Sequence, residues 1–278
     1  MKGGVQPQAK GWRLPPDLRD NAVQNEFESV TLPISARRVS CQQCPLRAMP
    51  QFRAFTPEEL KFVANFKRGE LVAEPGSVIL AEGAHSAQLF TVLSGWAFRY
   101  KSLEDGRRQI LNYCLPGDLV GLQGSMIGAM DHSVEALSPV VLCVFQRDRL
   151  ADLYKSHPGL SFDVTWLASR EERMLDENLL SLGRRTAIER AAYLVAFLHQ
   201  RATTVGLAED TSLLIPITQQ HVADTLGLSI VHTNKTLRKL SEKKLIRWHD
   251  RACEVLDPPG LLDVAGWTGL LEGKRPLI

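Results

Sequence analysis

The side chains best suited to chemistry cluster late in the chain. Between positions 235 and 251 stand seven Lys or Arg and only two acids, inside a chain whose formal net charge is +2. Just ahead of that run and within it lie Ser229, Val231, His232, Asn234, Lys235, Arg238 and Lys239. Asn and Lys hydrogen-bond base edges, Ser, His and Arg serve bases or phosphates, and fixed cations neutralise the phosphate backbone. The chemistry implied is recognition of duplex nucleic acid rather than a reaction. A charge run alone also describes a solvated helix face, so the reading depends on the elements that would carry it.

Cysteine is the second reactive type. There are five in the chain, and Cys41-Gln42-Gln43-Cys44 forms a compact thiol pair. No apolar leader opens the sequence, so the cysteines read as thiols or metal ligands rather than as a disulfide framework. Cys114 and Cys143 lie in strand-like segments, where a small buried core residue is the ordinary role. Catalytic readings find little support. The seven histidines are scattered, no HxH set suits a metal, and neither a nucleophile–base pair nor a phosphate loop is legible.

Local signals supply the elements. Thr218 is a helix N-cap followed by apolar Val222, Ala223 and Leu226 three and four apart, and Gly227 ends that helix. Ser229 caps a second helix over residues 230–244, with Ile230, Thr233, Leu237 and Leu240 as its expected buried side. Residues 245–248 and 253–256 alternate as a hairpin behind it. Two capped helices joined at a glycine, the second one basic, followed by a hairpin, make a winged helix-turn-helix. Thr218, Gln219 and Gln220 then sit at the first helix's N-terminus, where backbone N–H groups favour a phosphate.

Further back, residues 67–146 break into short strands separated by glycine turns, the pattern of an antiparallel barrel or sandwich. Leu160, Val164, Leu167, Met174, Leu175, Leu179 and Leu182 recur at helical spacing between the two parts. A stripe this long calls for a partner, and a second copy of the same helix is the economical one. Residues 186–200 predict another helix, and residues 201–212 a polar loop. The length of 278 residues favours two domains, the 44% hydrophobic content supports packed cores, and no apolar run approaches the roughly 20 residues of a membrane span.

With these residues in view, the sequence resembles the CRP/FNR family of bacterial transcription regulators over about residues 41–265. The likeness is carried by Ile217-Thr218-Gln219-Gln220-His221-Val222-Ala223-Asp224-Thr225-Leu226-Gly227-Leu228-Ser229 and by Leu115-Pro116-Gly117-Asp118-Leu119-Val120-Gly121. The resemblance implies an α+β fold: a cupin-like antiparallel β-roll sensor over residues 41–150, a dimerisation helix over 151–184 and a winged helix-turn-helix over 185–266. Residues 1–40 would be a mobile arm and 267–278 a tail. It also implies a cytoplasmic homodimer, an activator on two-fold symmetric double-stranded DNA that contacts RNA polymerase, with residues 201–212 as a candidate contact surface. Lys235 falls where the family usually places its main base-reading arginine.

For the signal, the resemblance offers two ligands. Cyclic AMP-binding relatives hold the phosphate with an Arg-Ser/Thr pair, whereas this chain has Asp131-His132-Ser133, which argues against a cyclic nucleotide. Oxygen-sensing relatives hold an iron–sulfur cluster with four cysteines, and Cys41, Cys44 and Cys143 match three of those positions. The fourth ligand would have to be Cys114 or a non-cysteine group; a redox-responsive or metal-bound thiol pair, no ligand, or an unidentified effector are the alternatives, with redox or oxygen favoured over a cyclic nucleotide. The competing functional class is a ligand- or metal-binding barrel whose helix-turn-helix is only an interaction module.

Overall fold

The computed structural model describes residues 34–35, 39–207, 213–270 and 273–278. The expected arm therefore lies mostly outside the described residues, but its strand β1 (Ile34–Ser35) pairs antiparallel with the barrel edge. Two 3-10 turns, Cys41–Gln43 and Pro45–Ala48, precede α1 (Pro57–Phe66). Helix α1 starts as its sequence dictates. Thr56 and Glu59 form a reciprocal capping box, and Pro57 occupies the first turn, where its missing N–H costs nothing.

The strands follow as β2 (Lys67–Ala73), β3 (Val78–Leu80), β4 (Gln88–Ser94), β5 (Ala97–Ser102), β6 (Arg108–Cys114) and β7 (Leu119–Val120). After a short α2 (Leu122–Ile127) come β8 (Ser133–Ala136) and β9 (Val140–Gln146). They build two antiparallel sheets, ordered β1-β2-β9-β4-β7 and β3-β8-β5-β6. The core between the sheets includes Leu71, Phe90, Val92, Ala97, Cys114, Val134, Leu142 and Val144.

Strand β9 is covered on both faces. Leu142 and Val144 join the inter-sheet core, whereas Cys143 and Phe145, of opposite parity, join a second core with Cys41, Leu46, Val63 and Phe66. Cys114 belongs to the inter-sheet core, and burial pushes its thiol up to about 12. It therefore cannot complete a ligand set with Cys143.

Helix α3 (Leu150–Ser156) is separated from α4 (Pro158–Arg184) by His157, whose ψ of 77° leaves the helical region. The expected continuous helix from residue 151 is thus two. Proline disfavours helical geometry in the residue before it, and Pro158 opens α4 as its first residue. On α4, Leu160, Val164, Leu167 and Met174 are buried, while Phe162, Leu179 and Leu180 are exposed.

Helix α5 (Ala187–Thr204) runs further than the sequence predicted. Arg201, expected in a polar loop, lies inside it and is 3% exposed. It cannot belong to a polymerase-contacting surface, and residues 208–212 of that surface fall outside the described residues. The chain ends with β10 (Leu214–Ile215), α6 (Gln219–Leu226), α7 (Ile230–Glu242), β11 (Ile246–Trp248), β12 (Cys253–Val255) and α8 (Pro258–Ala265). The last three strands form a small antiparallel sheet, β10-β12-β11. No helix of the described residues is long and apolar enough to cross a membrane.

Candidate nucleic-acid interface

Helix α6 is fixed at both ends by its own residues. The Thr218 hydroxyl accepts from the His221 N–H at 3.2 Å, and His221 Nδ1 accepts from the Thr218 N–H at 3.2 Å. A neutral histidine thus performs the task usually given to Glu in a capping box. Burial, reinforced by Arg108, lowers its pKa to about 4 and keeps Nδ1 free to accept. Gly227 then ends the helix in the left-handed region at φ 63°. Ser229 starts α7, its hydroxyl accepting from the His232 N–H at 3.3 Å.

The apolar side of α7 buries Thr233, Thr236, Leu237 and Leu240. Ile230, expected among them, is 39% exposed because it is the first helical residue and stands beyond the core. Ser229, Val231, His232, Asn234, Lys235, Arg238 and Lys239 are all exposed. They form two adjacent stripes at helical spacing, Val231–Asn234–Arg238 and His232–Lys235–Lys239. Lys235, Arg238 and Lys239 make no ion pair with any described residue. In the wing, by contrast, Arg247 and His249 both engage Glu254 at 3.0 Å. Lys243, Lys244 and Arg251 likewise make no ion pair with any described residue, so uncompensated cations gather on α7 and the residues just after it, which suits a phosphate-lined groove.

On α6 the predicted residues are less open. Thr218 and Gln219 are half-buried, and the Gln220 amide donates to Asp224 at 2.6 Å. The side of α6 that carries Asp224 and Thr225 docks on the barrel. Arg108 pairs with Asp224 at 2.6 Å, Gln109 donates to the Thr225 carbonyl at 2.8 Å, and the Tyr113 hydroxyl meets Thr225 Oγ1 at 2.9 Å.

A second link was not legible in the sequence. Asp118, in the turn after β6, receives guanidinium groups from Arg170 on α4 (3.2 Å), Arg201 on α5, and Arg275 (3.1 Å). Burial alone would raise its pKa, but Arg201, Arg275 and Arg170 hold the carboxyl well below the usual range. The only sequence signal was the Pro116-Gly117-Asp118 turn itself.

Beside this cluster a cavity of about 510 Å³ is lined by Arg99, Gln123, His132, Arg170 and Glu171 among others. Its cations are already partnered: Arg99 with Glu171 at 3.0 Å and Arg170 with Asp118. Burial lowers His132 to about 4, so it is neutral. The cavity offers no unpaired fixed cation for a cyclic phosphate, as the replacement of arginine by His132 suggested.

The three candidate ligand cysteines do come together. Cys41, Cys44 and Cys143 line one cavity of about 20 Å³ with Lys67, Leu277 and Ile278. Burial pushes Cys143 up to about 11 and also raises Cys41. Among the described residues no three His, Cys, Asp or Glu side chains are placed to hold a metal ion. A space sufficient for about one water molecule, closed by two aliphatic side chains, does not fit an iron–sulfur cluster.

The depressed histidines also fix a pH response. Between pH 6.5 and 4 the unfolded chain binds protons that folded His132 and His221 refuse, so stability is full above about pH 6.5 and falls toward pH 4. Asp118 extends the loss with the same sign below about pH 4. Melting temperature measured against pH should show this slope, and a flat profile over that window would contradict the histidine assignments.

A barrel joined through a long helix to a winged helix-turn-helix with one uncompensated basic face defines a class: regulators whose sensor domain adjoins a DNA-reading domain. Comparison places the chain within that class. Residues 70–157 match the cyclic nucleotide-binding domain family, and residues 189–264 the Crp-like helix-turn-helix domain family. The transcriptional activatory protein AadR of Rhodopseudomonas palustris is 32% identical over 185 residues, covering 66% of this chain and 76% of its own. The nitrogen fixation regulation protein FixK of Bradyrhizobium diazoefficiens is 29% identical over 218 residues, covering 78% and 90%. The structure of FixK2 from Bradyrhizobium japonicum superposes with a TM-score of 0.63 at 24% identity, over 70% of this chain and 96% of that one, and so shares the fold. The chain belongs to the CRP/FNR family of DNA-binding transcription regulators, a family of regulators rather than enzymes.

Proposed function

We propose that the protein is a cytoplasmic homodimer that binds a two-fold symmetric duplex site and activates transcription through RNA polymerase. In this reading the early residues of α7 enter the major groove. Val231, Asn234 and Lys235 read base edges, while Ser229, His232, Arg238 and Lys239, with Thr218, Gln219 and Gln220 at the α6 N-terminus, hold phosphates. The observation that carries it is the exposed face of α7, where Lys235, Arg238 and Lys239 have no ion-pair partner. Activation is supported by relatives such as the one named a transcriptional activatory protein, and polymerase contact is what the family resemblance implies. Exposed Leu179 and Leu180 near the end of the 27-residue α4, with exposed Phe162 near its start, are apolar side chains left available to a second copy. Domain limits near 150, 184 and 266 follow as the boundaries of the barrel, the dimer helix and the reading domain.

Selection from random duplexes tests this directly: a palindrome with half-sites about one helical turn apart is expected, and recovery of no consensus would leave the helix-turn-helix an interaction module only. Arg238→Ala and Lys239→Ala should each weaken binding to all sequences alike and reduce the salt slope by about 1, read from binding isotherms between 50 and 200 mM salt.

For the signal we propose the thiol group Cys41, Cys44 and Cys143 rather than a cyclic nucleotide. The support is their convergence on one cavity and the lack of an unpaired cation in the other. Millimolar cyclic AMP should leave the melting temperature unchanged; a shift of several degrees would reverse the choice.

A further inference from the structure

The last residues of the sequence run back to the barrel. Arg275 forms a parallel bridge with Phe52: its N–H donates to the Gln51 carbonyl, and its carbonyl accepts from the Arg53 N–H, both at 2.8 Å. Its guanidinium donates to the Pro116 carbonyl at 2.7 Å and to Asp118, and lies 4.7 Å over the Phe52 ring. Beyond it, Leu277 and Ile278 are 3% and 5% exposed. The Thr91 hydroxyl donates to the Ile278 carbonyl at 2.6 Å. These two aliphatic side chains share the small cavity with Cys41, Cys44 and Cys143.

The groove is shaped for this occupant. Gly117, whose φ of 86° already favours glycine, leaves the space in which the Arg275 guanidinium and the Phe52 ring lie, 2.3 Å and 2.6 Å from where a Cβ would stand. The polar partners sort along its length: a backbone edge at residues 51–53, a carbonyl and a carboxylate for an arginine, then an apolar end beside the thiols. That is recognition of an extended peptide by main-chain pairing plus side-chain pockets.

We propose that the barrel carries a peptide-binding groove for a short extended segment of the form Arg-Pro-aliphatic-aliphatic, that residues 273–278 are its detachable occupant, and that they cover the three thiols. The charge balance at Asp118 permits detachment. Without Arg275 that carboxylate still holds Arg170 and Arg201, so it is not left unpaired. The departing guanidinium also escapes two like charges and carries out a buried Nε that has no hydrogen-bond partner. Gly273 and Lys274, at the start of the segment, are exposed. The groove does not depend on the sensing role proposed above for the thiols, which serve here only as reporters.

The test uses a chain ending at residue 272 and the peptide Gly-Lys-Arg-Pro-Leu-Ile carrying a fluorophore on its amino end. The labelled peptide should bind the shortened chain saturably and the full chain at least ten-fold more weakly. Alkylation of Cys41, Cys44 and Cys143 by a maleimide, mapped by mass spectrometry, should be at least ten-fold faster in the shortened chain. Added peptide should restore the slow rate, and a peptide bearing Arg275→Glu should not. A natively folded shortened chain that binds no peptide, or that alkylates at the full chain's rate, overturns the proposal. Should the shortened chain not fold, a protease site placed at residues 271–272 allows cleavage after folding. Loss of the freed segment on dilution, with a matching rise in alkylation, supports the groove; loss without that rise, or a segment that does not leave on dilution, overturns it.

Discussion

Replacing Asp118 by asparagine is expected to be among the most damaging single changes in this protein. The substitution keeps the side chain's size and removes the one carboxylate on which Arg170, Arg201 and Arg275 converge. The Arg201 and Arg275 side chains are 2% and 7% exposed, so water cannot take over. Breaking a buried ion pair by removing one partner costs about 3–5 kcal/mol, because it strands charge in a medium that solvates it poorly. For a chain of this size that corresponds to a fall of roughly 6–20 °C in melting temperature. Arg275→Leu should be far milder, since it removes one of three cations and leaves the carboxylate doubly paired. Melting curves of the two variants, and of their combination, check the claim. Equal losses for Asp118→Asn and Arg275→Leu would mean that the cluster is not organised around the carboxylate.

The second large effect is on DNA. Lys235→Ala should cost about 1–3 kcal/mol at the preferred site, a loss of roughly 5- to 150-fold in affinity, and relax preference at one base pair. The side chain is exposed and makes no ion pair with a described residue, so the fold should tolerate its removal with little change in melting temperature. The expected signature is therefore lost selectivity with retained stability. Competition between the preferred duplex and its single-base variants reads it. A Lys235→Ala protein that keeps both affinity and base preference would remove α7 from the major groove.

Much of the reading domain was legible because its signals are local. Thr218, Gly227 and Ser229 act within a few residues of themselves, by capping and by tolerance of positive φ, and each stands where the sequence placed it. The break at His157 has its local signal in Pro158, which opens α4, whereas the apolar stripe begins only at Leu160 and says nothing of where the helix starts. The sequence places Arg201 in a loop because a charged side chain at the end of an apolar helix ordinarily marks the surface. Only its partner, 83 positions earlier, explains its burial.

The cysteines divide along the same line. By itself the sequence determined that Cys41 and Cys44 are close, that Cys143 sits in a strand, and that positive charge gathers on one late helix. These are matters of spacing and composition. It could not determine which side of the barrel Cys114 and Cys143 face. Strand β9 is buried on both sides, so the alternation that would reveal a face is erased. The tertiary structure alone decided that Cys143 joins Cys41 and Cys44, that Cys114 does not, that three arginines share Asp118, and that Leu277 and Ile278 line the cavity beside the thiols. Each of these joins groups dozens of residues apart. Such meetings are set by how sheets and helices pack, and no local pattern encodes them.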